Sequence, residues 1–213
     1  MITNPFQSKD RVSLITLIIA NLVPIVGVIV AGWDAGMIVL LYWSENLIVG
    51  FYNVLKMARV PVEGARAKHK KGGLIAFFCV HYGLFCVGHG VFVVLLASFS
   101  PMVQEGVMRV IGQLIWPFLG LTVSHGISFV QNFIIRKEYA STTVERQMGR
   151  PYGRIVLLHV AILFAAMPTV LLGSPMPLVV LLVVGKIFVD LWLHGRSHRD
   201  LFAGKTESPE TRE

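Results

Sequence analysis

The chain is short of charge. Only 15% of its 213 residues are Asp, Glu, Lys or Arg, against roughly a quarter in soluble domains. Much of the folded surface is therefore expected to face something other than water. Cysteine is nearly absent. Cys79 and Cys86 lie in one apolar stretch without Cys-x-x-Cys spacing, which argues against a disulfide framework or a thiolate metal site. There is no Cys-x-x-Cys-His haem attachment, no Walker loop, no Gly-x-Gly-x-x-Gly after a strand and no Gly-x-Ser-x-Gly elbow, so the common soluble enzyme scaffolds are not expected. No second domain and no inverted repeat is evident.

Apolar sequence is what the chain has in quantity: 54% of residues are hydrophobic and the mean hydropathy is +0.68. Apolar stretches lie near 12–32, 35–58, 73–98, 107–135, 153–173 and 176–194, each close to the roughly 20 residues of helix that cross a bilayer. The first is longer than the 7–15 residues typical of a signal-peptide core. Turn residues mark the boundaries: Gly32-Trp33-Asp34, Gly72-Gly73, Pro101, Pro151 and Gly173-Ser174-Pro175. Pro117 and Pro168 are candidate break points within their spans.

The basic residues set the orientation. Lys9 and Arg11, the cations between positions 56 and 71, those between 136 and 154, and those from Arg196 onward fall on one side, making 17 of 19; Arg109 alone lies opposite, and Lys186 is within a span. The positive-inside rule makes that side cytoplasmic. The sequence thus predicts an all-α, integral membrane six-helix bundle in a bacterial or archaeal inner membrane, with both termini cytoplasmic. Residues 1–204 form the membrane domain, and 205–213 a disordered tail. The net charge of +7 is assigned to the lipid surface and not to nucleic acid.

Ionisable groups in hydrocarbon cost on the order of 2.5–3.5 kcal/mol at a helix centre and usually mark a functional interior. Span two carries Glu45, Asn46 and Asn53; span three His81 and His89; span four His125 and Asn132; span five His159; span six Lys186, Asp190 and His194. At about 1.5 Å per residue, His81, His125, His159, Asp190 and His194 reach similar depths in the cytoplasmic half. Glu45, His89 and Lys186 lie nearer the midplane. Lys186, Asp190, His194 and His198 recur at every fourth position, and His194-x-x-x-His198 can present two imidazoles on one helical face. His81, His125, His159, Asp190 and His194 are candidate ligands for zinc or iron. The plainer alternatives are helix-to-helix hydrogen bonds for the histidines and an i,i+4 ion pair for Lys186 and Asp190.

The segment Tyr42-Trp43-Ser44-Glu45-Asn46-Leu47-Ile48-Val49-Gly50-Phe51-Tyr52-Asn53-Val54-Leu55-Lys56 resembles the signature of an uncharacterised family of small prokaryotic membrane proteins. That resemblance implies a membrane fold and weight on Glu45, Asn46 and Asn53, without an activity. A second similarity is to seven-span zinc-dependent membrane hydrolases of the ceramidase and progestin-receptor type, echoed by His194-x-x-x-His198, Asp190 and His81. Six spans are predicted here, not seven.

These patterns lead first to a metal-dependent membrane enzyme acting on a lipid or other apolar substrate. His81, His125, His159, Asp190 and His194 would hold the metal, and Glu45 would be the general acid or base. The alternative is a transporter or proton-coupled carrier using Glu45, Lys186, Asp190 and the histidines. Haem binding by paired histidines and a structural assembly factor also remain open.

Overall fold

The computed structural model describes residues 25–30 and 32–188. Among them, every regular element is helical. Four stretches are long and apolar enough to cross a membrane: Ala35–Arg59, Ala65–Ala97, Val107–Ile135 and Val144–Leu172. A shorter apolar helix, Met176–Phe188, follows them. We label the helices α1 (Ala35–Arg59), α2 (Ala65–Ala97), α3 (Pro101–Gln104), α4 (Val107–Ser128), α5 (Val144–Gly149), α6 (Tyr152–Leu172) and α7 (Met176–Phe188). Asp190 and His194 lie outside the described residues.

The outer surface matches that length argument. Val80, Leu84, Trp116, Phe164 and Leu171 are each more than three-fifths exposed. Helices apolar on their outer faces as well as their inner ones are suited to lipid, not to water. The chain is a membrane protein by this pattern of burial and by its helix lengths.

α1 starts where Asp34 accepts a hydrogen bond from the Met37 amide at 2.9 Å, an N-cap of the usual kind. The same carboxylate receives the Ser100 hydroxyl, tying the start of α1 to the turn before α3. At the other end, Lys71 donates to the carbonyls of Ala58 (2.6 Å) and Val60 (2.7 Å), satisfying acceptors that a helix terminus leaves open.

Gly72-Gly73 does not bound a helix, contrary to the turn reading of the sequence. α2 begins at Ala65, after Gly64 at φ +81°, and runs through both glycines. It is 33 residues long, about 50 Å at 1.5 Å per residue. That exceeds a bilayer core, so the first two turns, with Arg66, Lys68, Lys70 and Lys71, extend the helix beyond the apolar stretch. α4 and α6 likewise continue through Pro117 and Pro168. α6 ends at Gly173, whose left-handed conformation (φ 60°) lets the Ser174 amide reach back to the Thr169 carbonyl at 3.2 Å. This cap makes the tight hairpin into α7.

α1 is the hub, packing against α2, α4, α5 and α6. Two apolar cores form around it. One, near Asp34, gathers Val39, Leu40, Val93, Ala161, Ala165, Leu178 and Val183. The other, near Arg59, gathers Met57, Phe78, Tyr82, Phe133, Val144 and Ile155. On α1 the stretch between these cores holds Glu45, Asn46 and Asn53.

Candidate functional site

Between the two cores, α1 is hydrogen-bonded to three neighbouring helices. Trp43 donates its indole N–H to the Cys86 carbonyl of α2 at 2.9 Å. Tyr82 donates to the Asn46 carbonyl at 3.1 Å, with its ring over Gly50; a Cβ there would lie 2.7 Å from the ring. Tyr52 donates to the Thr122 carbonyl of α4 at 3.0 Å. The Asn53 side-chain carbonyl accepts from Gln147 of α5 at 2.8 Å, with both residues buried.

Glu45 is the centre of this layer. One carboxylate oxygen lies 3.2 Å from Nε2 of His125 on α4, and the other forms an ion pair with Arg154 of α6. Its side chain is 12% exposed. Three helices therefore meet at one carboxylate. Burying such a charge is tolerable only with a partner and further hydrogen bonds, and Arg154 and His125 supply both. His125 sits four residues before the start of a π-helical segment, Phe129–Ile135, a local unwinding often found at functional sites.

Two cavities flank the layer. The larger, about 710 Å³, runs from Trp33 and Asp34 between α1 and α4 to Glu45. Its walls are mainly apolar, with Met37, Ile38, Leu41, Leu114 and Leu121. Pro117 also lines it; lacking an N–H, Pro117 leaves the Gln113 carbonyl without its helical partner. The smaller cavity, about 90 Å³, is lined by Asn46, Gly153 and Arg154. Tyr42 and Lys186 line both cavities. The Lys186 ammonium lies 5.7 Å from the centre of the Tyr42 ring, within cation–π range. They form a partition. Glu45 belongs to the larger cavity and Arg154 to the smaller, so their ion pair links the two.

The other candidate residues lie elsewhere. His89 and His159 share a hydrogen bond at 3.0 Å, with His89 buried and His159 exposed. His81 contacts the Tyr152 hydroxyl at 2.9 Å. Asn132 donates to Ser128 within its own helical turn. His81, His125 and His159 thus have three separate partners. Among the described residues no group of three or more His, Cys, Asp or Glu side chains is arranged to hold a metal ion. Asp190 and His194, the other candidate ligands, fall outside them.

Arg154 and Tyr42 carry the site's geometry, yet sequence patterns did not single them out. The positive-inside pattern assigns Arg154 to the cytoplasmic flank. Its place inside the fifth apolar stretch, ahead of an uncharged run to position 185, was the available signal. Tyr42 opens the Tyr-Trp-x-Glu-Asn segment but carries no charge to draw notice.

Residues 3–206 match a family of unknown function (DUF6498). The chain belongs to that family. The match spans the whole helical array of this DUF6498 member and agrees with the expected kinship to an uncharacterised family. No curated protein and no solved structure matches the chain.

Proposed function

We propose that this protein is a proton-coupled carrier of the cell's inner membrane, built from six spans with both termini cytoplasmic. The single observation that carries the reading is the Glu45–Arg154 pair, whose two members line different cavities on either side of the Tyr42–Lys186 partition. A carrier needs a site reached alternately from each face, with a group whose charge decides which path is open. Protonating Glu45 removes its attraction for Arg154, and with it the bond that holds α1 to α6 across the partition. The charged and polar groups facing Glu45 are His125, Arg154, Lys186 and Tyr42. By the positive-inside pattern, the larger cavity opens away from the cytoplasm and the smaller lies toward it.

The metal-dependent enzyme is supported only by the Glu45–His125 contact among the described residues. The carrier reading uses more of the observed geometry.

Thiol labelling from each face tests it. In a chain with Cys79 and Cys86 replaced by Ala, Leu41→Cys lies in the larger cavity and Leu157→Cys in the smaller. The carrier reading expects a membrane-impermeant reagent to reach Leu41→Cys from the outer face and Leu157→Cys from the cytoplasmic face. Labelling of both from one face alone refutes it.

A further inference from the structure

The chemistry around the partition specifies a ligand class. We infer that the cavity takes an amphipathic monocarboxylate, its tail along α1 and α4 and its head at Lys186. This rests on the carrier reading of the same site and adds what is carried.

The volume is the first argument. About 710 Å³ is within the 300–1,000 Å³ range of small-molecule sites. The walls of Ile38, Leu41, Leu114 and Leu121 offer an apolar tail what the bilayer offers it.

Charge is the second. Around the partition, one carboxylate, Glu45, faces two cations, Arg154 and Lys186. Arg154 is engaged by Glu45, and Lys186 lines both cavities. Asp34 lines the far end of the larger cavity, where the Met37 amide and the Ser100 hydroxyl hold it; at the partition itself, among the described residues, a monoanion neutralises the second cation, whereas a further cation meets repulsion.

The third argument is an orphan acceptor. Asn46 is 4% exposed, lines the smaller cavity, and among the described residues its side-chain oxygen has no hydrogen-bond partner. Its amide nitrogen is already used on the Tyr42 carbonyl at 3.0 Å. Buried acceptors are normally satisfied, so the oxygen calls for a donor from whatever occupies the chamber. A carboxyl group suits both neighbours. Ionised, it accepts from Lys186; protonated, it donates its O–H to Asn46. A chamber of about 90 Å³ accommodates a headgroup but no chain. Passage of the head from Lys186 to Asn46 requires the carboxylate to take the proton of a protonated Glu45, so that one O–H bond breaks on Glu45 as one forms on the ligand and Glu45 is left ionised for Arg154.

Native mass spectrometry of the full chain, released from detergent micelles, tests this with four probes: dodecanoate, dodecanol, dodecylammonium and dodecyl phosphate. A charge-assisted hydrogen bond in a desolvated site predicts one-to-one dodecanoate adducts at least about tenfold more abundant than those of the other three. Lys186→Met should erase the preference for the acid over the alcohol. Leu41→Trp, which fills the cavity, should remove the dodecanoate adduct; Ile38→Phe repeats that test should Leu41→Trp fail to fold. Equal adducts of acid and alcohol, equal adducts of dodecyl phosphate, or adducts indifferent to both filling variants would overturn the assignment. If dodecanoate binds as expected but thiol labelling is one-sided, the carrier reading falls and the ligand class stands. If labelling is two-sided and the probes bind alike, only the ligand class falls.

Discussion

Glu45 of α1 and Arg154 of α6 form an ion pair between two apolar cores, with His125 on the second carboxylate oxygen. Removing one member of a buried pair strands the other charge, at a cost of about 3–5 kcal/mol in fully buried cases. The Arg154 side chain is 35% exposed, so Arg154→Met should cost less, about 2–3 kcal/mol. Glu45→Gln in that background should recover part of the loss. A double-mutant cycle on thermal unfolding in detergent reads the coupling directly, and additive effects would show that the pair contributes nothing.

The Lys70–Glu145 bridge is the contrasting case. Its side chains are 68% and 50% exposed, and exposed pairs contribute about 0–1 kcal/mol. Glu145→Gln should leave the unfolding temperature nearly unchanged and lose even that small effect at high salt.

Asn53 and Gln147 hold α5 against α1 through one buried hydrogen bond. Asn53→Leu or Gln147→Leu leaves the other side chain unsatisfied, which costs about 1–3 kcal/mol. The double variant should cost less than the sum of the two, because it leaves no stranded partner. Full additivity in unfolding measurements would count against the contact.

Gly50 lies beneath the Tyr82 ring, and any Cβ there meets it at 2.7 Å. Gly50→Ala must displace the ring and strain the Tyr82–Asn46 hydrogen bond, for about 1–3 kcal/mol of overpacking. Gly72→Ala is the control, since a Cβ there meets nothing within 4 Å among the described residues; it should be neutral or slightly stabilising in a helix.

These residues show what was legible beforehand. The hub helix was readable because Trp43, Glu45, Asn46, Gly50 and Asn53 fall in one polar-studded apolar run, and polar groups there need partners. Gly72-Gly73 misled, because two glycines suggest a break while the surrounding Ala, Arg and Lys favour helix and Lys71 anchors the turn. Counting residues along each helix puts His81, His125 and His159 at one level, but the contacts correct this: His81 lies beside Tyr152 and His159 beside His89, about 12 Å further along the helix at 1.5 Å per residue. The direction each faces depends on packing, which counting does not give. Hence His125 meets Glu45, while His81 and His159 meet Tyr152 and His89. Arg154 escapes for a related reason: the positive-inside rule treats a flanking arginine as a surface charge, whereas α6 begins at Tyr152 and carries Arg154 in its first turn against Glu45.

Metal content separates the carrier from the enzyme expectation. The carrier account predicts that chelator treatment leaves both the unfolding temperature and two-sided labelling unchanged. Stoichiometric zinc or iron, lost in His125→Ala, would favour the enzyme.

The most direct measurement is the rate at which an impermeant thiol reagent reaches Leu157→Cys from the cytoplasmic face as pH is lowered. If protonation of Glu45 releases Arg154 and opens the partition, the rate should rise with acidification in the otherwise native chain. In Glu45→Gln it should be high and independent of pH. A rate that does not respond to pH, or that responds equally with Gln at position 45, would contradict the account.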